Sequence, residues 1–172
     1  MCGVIEEGLP YNLSEVTYIN LIPQDMLEEV AQGKPTYASS TWIPYYSSYA
    51  VDGITTGTNF YASAIQDTNG WWIVDIGENR LIYKVTIIPR YGCCPTRFHD
   101  MEVRVGQNLI TSGDLSEYTL FSTYAGPYTA DQWLLTCDRV DKIYGRYIAI
   151  RYVGAVAEFI QICEVNVWAL KL

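Results

Sequence analysis

The sequence predicts an all-β domain, an antiparallel sandwich or barrel, and three observations carry that prediction. Fifteen tyrosines, five tryptophans and four phenylalanines stand among many Thr, Ser and Gly residues, a composition suited to pleated sheet and turns rather than to helices. From Lys34 onward the apolar period is two. Turn-forming clusters, "VDGITTGTN", "QDTNG", "GEN" and "TSGD", separate the alternating segments, as in sandwiches and barrels.

The strands follow in order. In "GWWIVDIG", Trp72, Val74 and Ile76 share one face, and in "YKVTIIPR" Val85 and Ile87 do so. In "DMEVRVG", Met101, Val103 and Val105 alternate with Glu102 and Arg104. "GRYIAIRYVG" sets Ile148, Ile150 and Tyr152 opposite Tyr147, Ala149 and Arg151, while "IQICEVNVWAL" sets Cys163, Val165 and Val167 opposite Glu164 and Asn166. Residues 1–30 differ. "LPYNLSEVTYINLI" has no clean period, and "IPQDMLEEVAQG" places apolar Met26, Leu27 and Val30 among acidic residues before Gly33, the pattern of one short helix. The chain therefore divides into an extension, 1–30, and a β domain, 31–172.

The 172 residues suffice for one full core. A net charge of −8 and a pI near 4.5 disfavour nucleic acid and anionic membranes, whose affinity comes from clustered Lys and Arg. No apolar run is long enough to span a bilayer. The first residues lack the basic and apolar regions of a signal peptide, so the sequence reads as cytosolic or as a mature secreted form. Asn12-Leu13-Ser14 is a glycosylation sequon, and with five cysteines it points to a secreted, extracellular setting. Their odd number leaves at least one thiol free or paired to another chain, including a disulfide-linked homo-oligomer.

Catalysis finds little support. The one histidine, His99, could serve as a base beside Cys93 or Cys94, but it flanks the turn that carries them. No nucleophile elbow, zinc, dinucleotide or phosphate-loop signature occurs. Binding is the better class, and the protein is expected not to be an enzyme.

The stretch "RYGCCPTR" (90–97) places adjacent cysteines between two arginines. Cys93 and Cys94 can close on each other in an eight-membered ring, giving a rigid apolar surface with Arg90 and Arg97 converging beside it. Each guanidinium offers five fixed donors, suited to paired oxygens such as vicinal sugar hydroxyls. On the octapeptide alone the alternative stays open: the arginines are surface charges and the cysteines pair elsewhere or remain thiols.

In order along the chain, "GKPTYASS", "YAVDGITTGTNFY", "NGWWIVDIG", "KVTIIPRYGCCPTRF", "MEVRVG", "GRYIAIRYV" and "ICEVNVWA" resemble the F-type lectins, the fucolectin family, over residues 31–170. The resemblance implies an eight-stranded, discoidin-like jelly-roll sandwich that binds L-fucose in a shallow loop pocket. It places the fucose-binding arginines on Arg90 and Arg97, a vicinal disulfide on Cys93 and Cys94, and an aromatic pair near the fucose methyl group on Phe60 and Tyr61. It further implies a structural calcium ion held by the Asp52 and Glu164 carboxylates, the carbonyls of Tyr49, Ile54 and Cys163, and Ser63. Calcium takes about six to eight hard oxygens, which such a set supplies. The bland reading has Asp52 as an ordinary turn residue and Glu164 facing solvent.

The sequence also departs from that family. Gly92 stands where the motif carries an aspartate beside the first arginine, and no histidine occurs before His99. The loop "ASAIQDTNGWW", which should bear the family's histidine, is short, and Gln66 is its nearest polar candidate. Cys137 and Cys163 match positions normally paired, but their usual partners are replaced near Tyr118 and Ala64, so Cys2, Cys137 and Cys163 remain unassigned. The expectation is a calcium-containing lectin for L-fucose or fucosylated glycans with a divergent site. The alternative keeps the fold without fucose binding, as an adhesion or assembly module docking on protein through "STWIPYYSSY" or the extension.

Overall fold

The computed structural model describes residues 1–4, 23–129 and 132–172; the Asn12 sequon, like the rest of 5–22, lies outside the described residues. Among the described residues nine strands form: β1 (Cys2–Val4), β2 (Leu27–Glu29), β3 (Thr36–Ala38), β4 (Tyr61–Ala62), β5 (Trp71–Pro89), β6 (Met101–Gly106), β7 (Thr119–Tyr124), β8 (Leu135–Tyr152) and β9 (Gln161–Leu170). Every strand pairing is antiparallel. The fold is the expected all-β jelly-roll sandwich; of its nine strands, β1 and β2 come from the extension and seven from residues 31–172, against the expected eight.

Two long strands make the sandwich. The first part of β5 (71–75) lies between β3 and the end of β8, which continues to β6 and β7. Past register shifts between Asp75 and Arg80 and between Ile82 and Lys84, β5 pairs with β9 and with the start of β8, which also carries β1. Thus β5 and β8 each belong to both layers. The period of two explains the core between them: Trp72, Val74, Met101, Val103, Ile148 and Ile150 from one layer meet Val85, Ile87, Val165 and Val167 from the other in one buried cluster. Burying each such large side chain contributes about 1.5–3 kcal/mol. The outer face of the first layer is also covered, since Leu115 and Tyr118 close over Trp71, Ile73, Tyr147 and Ala149.

Residues 24–33 do not form the expected helix. Gln24–Met26 make one 3₁₀ turn and Leu27–Glu29 run on as β2 against the end of β9. A helix this short pays its nucleation cost with few bonds to recover it, whereas β9 offers ready backbone partners. The Glu29 carboxylate fixes the join by accepting N–H bonds from Ala31 (2.8 Å), Gln32 (2.9 Å) and Val167 (3.1 Å).

β1 explains one cysteine pair. Cys2 is the register partner of Cys137 on β8, and the two form a disulfide spanning 135 positions. Cys93 and Cys94 form the second disulfide, while Cys163 is a buried free thiol. Among the described residues no accessible free thiol is left.

Candidate functional site

The site grows from the loop where β5 ends. Pro89 closes the strand, and the Arg90 N–H donates to the Gln161 carbonyl (3.3 Å) at the start of β9. The chain then turns through the Cys93–Cys94 disulfide, with Cys94 in the left-handed region at φ 56°. Residues other than glycine adopt that conformation at a cost, and the turn is held by the Arg97 N–H donating to the Cys94 carbonyl (3.1 Å). Cys93 is exposed and Cys94 half-buried, so the disulfide faces outward between the two arginines, both half-buried.

Each arginine has its own anchor. The Arg90 guanidinium lies over the Phe60 ring, 4.1 Å from its centre, and Phe60 stacks on Tyr45 at 4.3 Å. Arg97 packs over Phe159 at 5.1 Å, with its Nε 3.6 Å from a Glu158 carboxylate oxygen. Cation–π contacts of this kind contribute about 0.5–2 kcal/mol; their larger effect is to fix donors in place before a ligand arrives. Glu158 also ties in the short loop: its backbone exchanges hydrogen bonds with Asp67 (3.1 and 3.3 Å), next to exposed Gln66. Gln66 therefore sits on the loop bridged to the partner of Arg97.

The expected aromatic pair is not open to a ligand. β4 pairs with β9, Tyr61 opposite Ile162, and alternation sends neighbouring side chains to opposite faces. Tyr61 thus enters the core at 0 % exposure, its hydroxyl donating to the Ser40 carbonyl. Phe60 is buried with Ala62, Ile88 and Cys163 and serves as the platform beneath Arg90. The apolar groups that do face solvent near it are Trp42 and Ile43, which precede Tyr45, and Trp133, which packs on Tyr91 at 5.2 Å. Tyr91 holds the neighbouring loop by donating to the Thr55 carbonyl, and Gly57 (φ +76°) makes room, since an added Cβ would lie 2.8 Å from the Tyr91 ring.

Behind the arginines lies a buried acid. Glu164 is 1 % exposed, not solvent-facing, and its carboxyl accepts the Gly53 N–H at 3.2 Å. Burial pushes its pKa up to about 8; the Gly53 bond opposes the shift, and the charges of Asp52 and Glu29 add to it. Asp52 holds its own turn by accepting the Ile54 N–H (2.8 Å) and the Asn59 side-chain amide (2.8 Å). Gly53 at φ +80° is where this turn passes under the Gln32 side chain. An apolar-buried carboxylate facing a second acid is a donor set that a divalent cation would satisfy. Asp52 and Glu164 fit that role. The Ser63 hydroxyl donates to the Ile65 carbonyl and accepts the Ile160 N–H, which leaves it one lone pair. Tyr49 lies in the 3₁₀ turn just before Asp52, and Ile54 in the turn just after it. The period of two sets Cys163 on the Val165 face, but a register shift in β9 beside Ile88 and Pro89 turns its buried side chain to Phe60 instead. No cluster of three or more acidic, Cys or His side chains occurs among the described residues, so the remaining ligands would be carbonyls and water.

The thiol-and-base arrangement is absent. Cys93 and Cys94 are joined, His99 pairs with Asp100 and packs edge-on to Tyr152, and burial pushes the Cys163 thiol up to about 11. Around the two arginines the structure adds Glu158, Phe159 and Tyr45, which sequence reasoning missed, since nothing along the chain reveals which segment crosses the arginine loop.

Residues 49–150 match the family model described as a NedA-like, galactose-binding domain. Fucolectin-5 of Anguilla japonica is 31 % identical over 125 residues, 71 % of this chain. The chain belongs to the F-type lectin, or fucolectin, family. It spans 63 % of the length of Fucolectin-5. Among solved structures, an F-type lectin from Morone saxatilis serum superposes with a TM-score of 0.73 at 22 % identity, covering 83 % of this chain and 49 % of that one. A Streptococcus pneumoniae fucose-binding module superposes at 0.69 and 20 % identity, over 84 % of this chain and 99 % of the module. At these identities the likeness establishes the fold.

Proposed function

We propose that the protein is a secreted lectin that recognises glycans carrying L-fucose, through Arg90 and Arg97 beside the Cys93–Cys94 disulfide, with one structural calcium ion at Asp52 and Glu164. The observation that carries this reading is the pair of arginines, each laid on an aromatic ring, with an outward-facing disulfide between them. Guanidinium forks bind vicinal hydroxyls in two-pronged fashion, and the apolar disulfide suits the less polar face of a sugar. Gln66 stands on the loop beside Arg97 and is the candidate for the hydrogen bonds of the missing histidine. The buried Glu164 supports calcium, whose charge would offset both acids. Two disulfides support a secreted setting.

Calorimetric titration with methyl α-L-fucoside and a fucosylated glycan panel, with calcium present, tests this. Binding that Arg90→Ala abolishes is expected; no binding to any fucoside, or unchanged binding in that variant, overturns it. A second reading, a protein-docking adhesion module, draws on the exposed Trp42 and Ile43. Under it Trp42→Ala would abolish partner capture while no glycan binds.

A further inference from the structure

The two arginines differ in how their charge is met. Arg97 has Glu158 at 3.6 Å. Arg90 has the Phe60 ring and no carboxylate within ion-pair distance among the described residues. Neither acid of the neighbouring turn pairs with it: Glu164 is buried and accepts the Gly53 N–H, and the Asp52 oxygens accept from Ile54 and Asn59. Position 92, where the resemblance implies an aspartate, is an exposed glycine. Arg90 thus carries an unmatched positive charge in a protein of net charge −8.

We propose that this site takes an anionic glycan, one bearing a sulfate ester or a carboxylate on or beside the sugar that it holds, with Arg90 as the anion-binding group. The proposal rests on the lectin reading and narrows its ligand class. A neutral hydroxyl satisfies one or two guanidinium donors and leaves the charge unpaired. An oxyanion takes two donors in parallel and brings the opposite charge that a hydroxyl lacks, an ion-pair attraction on top of the hydrogen bonds. An aspartate flanking the arginine would meet its charge inside the protein. With Gly92 it is left for the ligand.

The test uses three matched fucosylated probes, Lewis a, 3′-sulfo-Lewis a and sialyl-Lewis a, titrated calorimetrically into the intact protein with calcium present. At least one charged form is expected to bind about tenfold more tightly than Lewis a at low salt, with the gap narrowing as salt rises; the two charged arms tell sulfate from carboxylate. Gly92→Asp supplies the missing acid. An added Cβ at Gly92 meets nothing within 4 Å, so the variant should fold, as its melting temperature will report, and should lose the charged-form preference. Lewis a binding as tightly as both charged forms, or an unchanged preference in Gly92→Asp, overturns the proposal while leaving the lectin reading intact. Binding to none of the three, nor to methyl α-L-fucoside or any member of the fucosylated panel, overturns the lectin reading itself.

Discussion

The Arg90 guanidinium carbon stands 4.1 Å from the centre of the Phe60 ring. The ring is itself stacked on Tyr45, so the orientation of the arginine is set two residues deep. Phe60→Leu should keep most of the packing, at a cost below about 1.5 kcal/mol in stability, while removing the π face. We expect fucoside affinity to fall about three- to tenfold, with the melting temperature changing little. A large stability loss with unchanged affinity would contradict the platform role.

Arg97 and Glu158 make a partly exposed ion pair, with side chains 34 % and 21 % accessible. Such pairs contribute only about 0–1 kcal/mol to stability. Glu158→Gln should therefore leave chemical denaturation nearly unchanged but loosen Arg97 and weaken glycan binding several-fold. Titration of the variant, compared with its unfolding curve, separates the two effects.

Glu164 predicts a pH dependence. Its folded pKa, about 8 against an ordinary 4.5, means that the folded state holds a proton which the unfolded state releases between these values. Unfolded chains then bind fewer protons, so this group makes stability fall as pH rises from about 4.5 to about 8, by on the order of 3–5 kcal/mol at most. Urea unfolding in chelator across that range should show the decline, and Glu164→Gln should flatten it. Calcium should flatten or reverse it too, because the ion binds the ionised carboxylate; no effect of calcium on the slope would argue against the ion site.

The Cys2–Cys137 disulfide closes most of the chain into one loop. Replacing both cysteines with serine should destabilise the domain by about 3–5 kcal/mol. Light scattering with and without reductant should give the same particle size, since neither disulfide joins two chains.

The layers were legible in the sequence because sandwich strands bury alternate residues, and Trp72, Val74, Val103 and Ile150 advertise that alternation. Arg90, Arg97 and the cysteine pair were legible because they are neighbours along the chain. Glu158 and Phe159 were not: they meet Arg97 through space, and an acid before a strand carries no mark of the loop that it faces. Tyr61 was misplaced because a two-residue strand is too short for its period to reveal which residue faces inward. The helix expected near Leu27 failed for a related reason, since the available edge of β9 outweighed a weak local preference.

β5 and β8 run through both layers, and β1 is fastened to β8 by a covalent bond. Arg90 follows directly on a 19-residue strand that pairs with β3, β8 and β9, so the position of its backbone is tied to both layers of the sandwich at once.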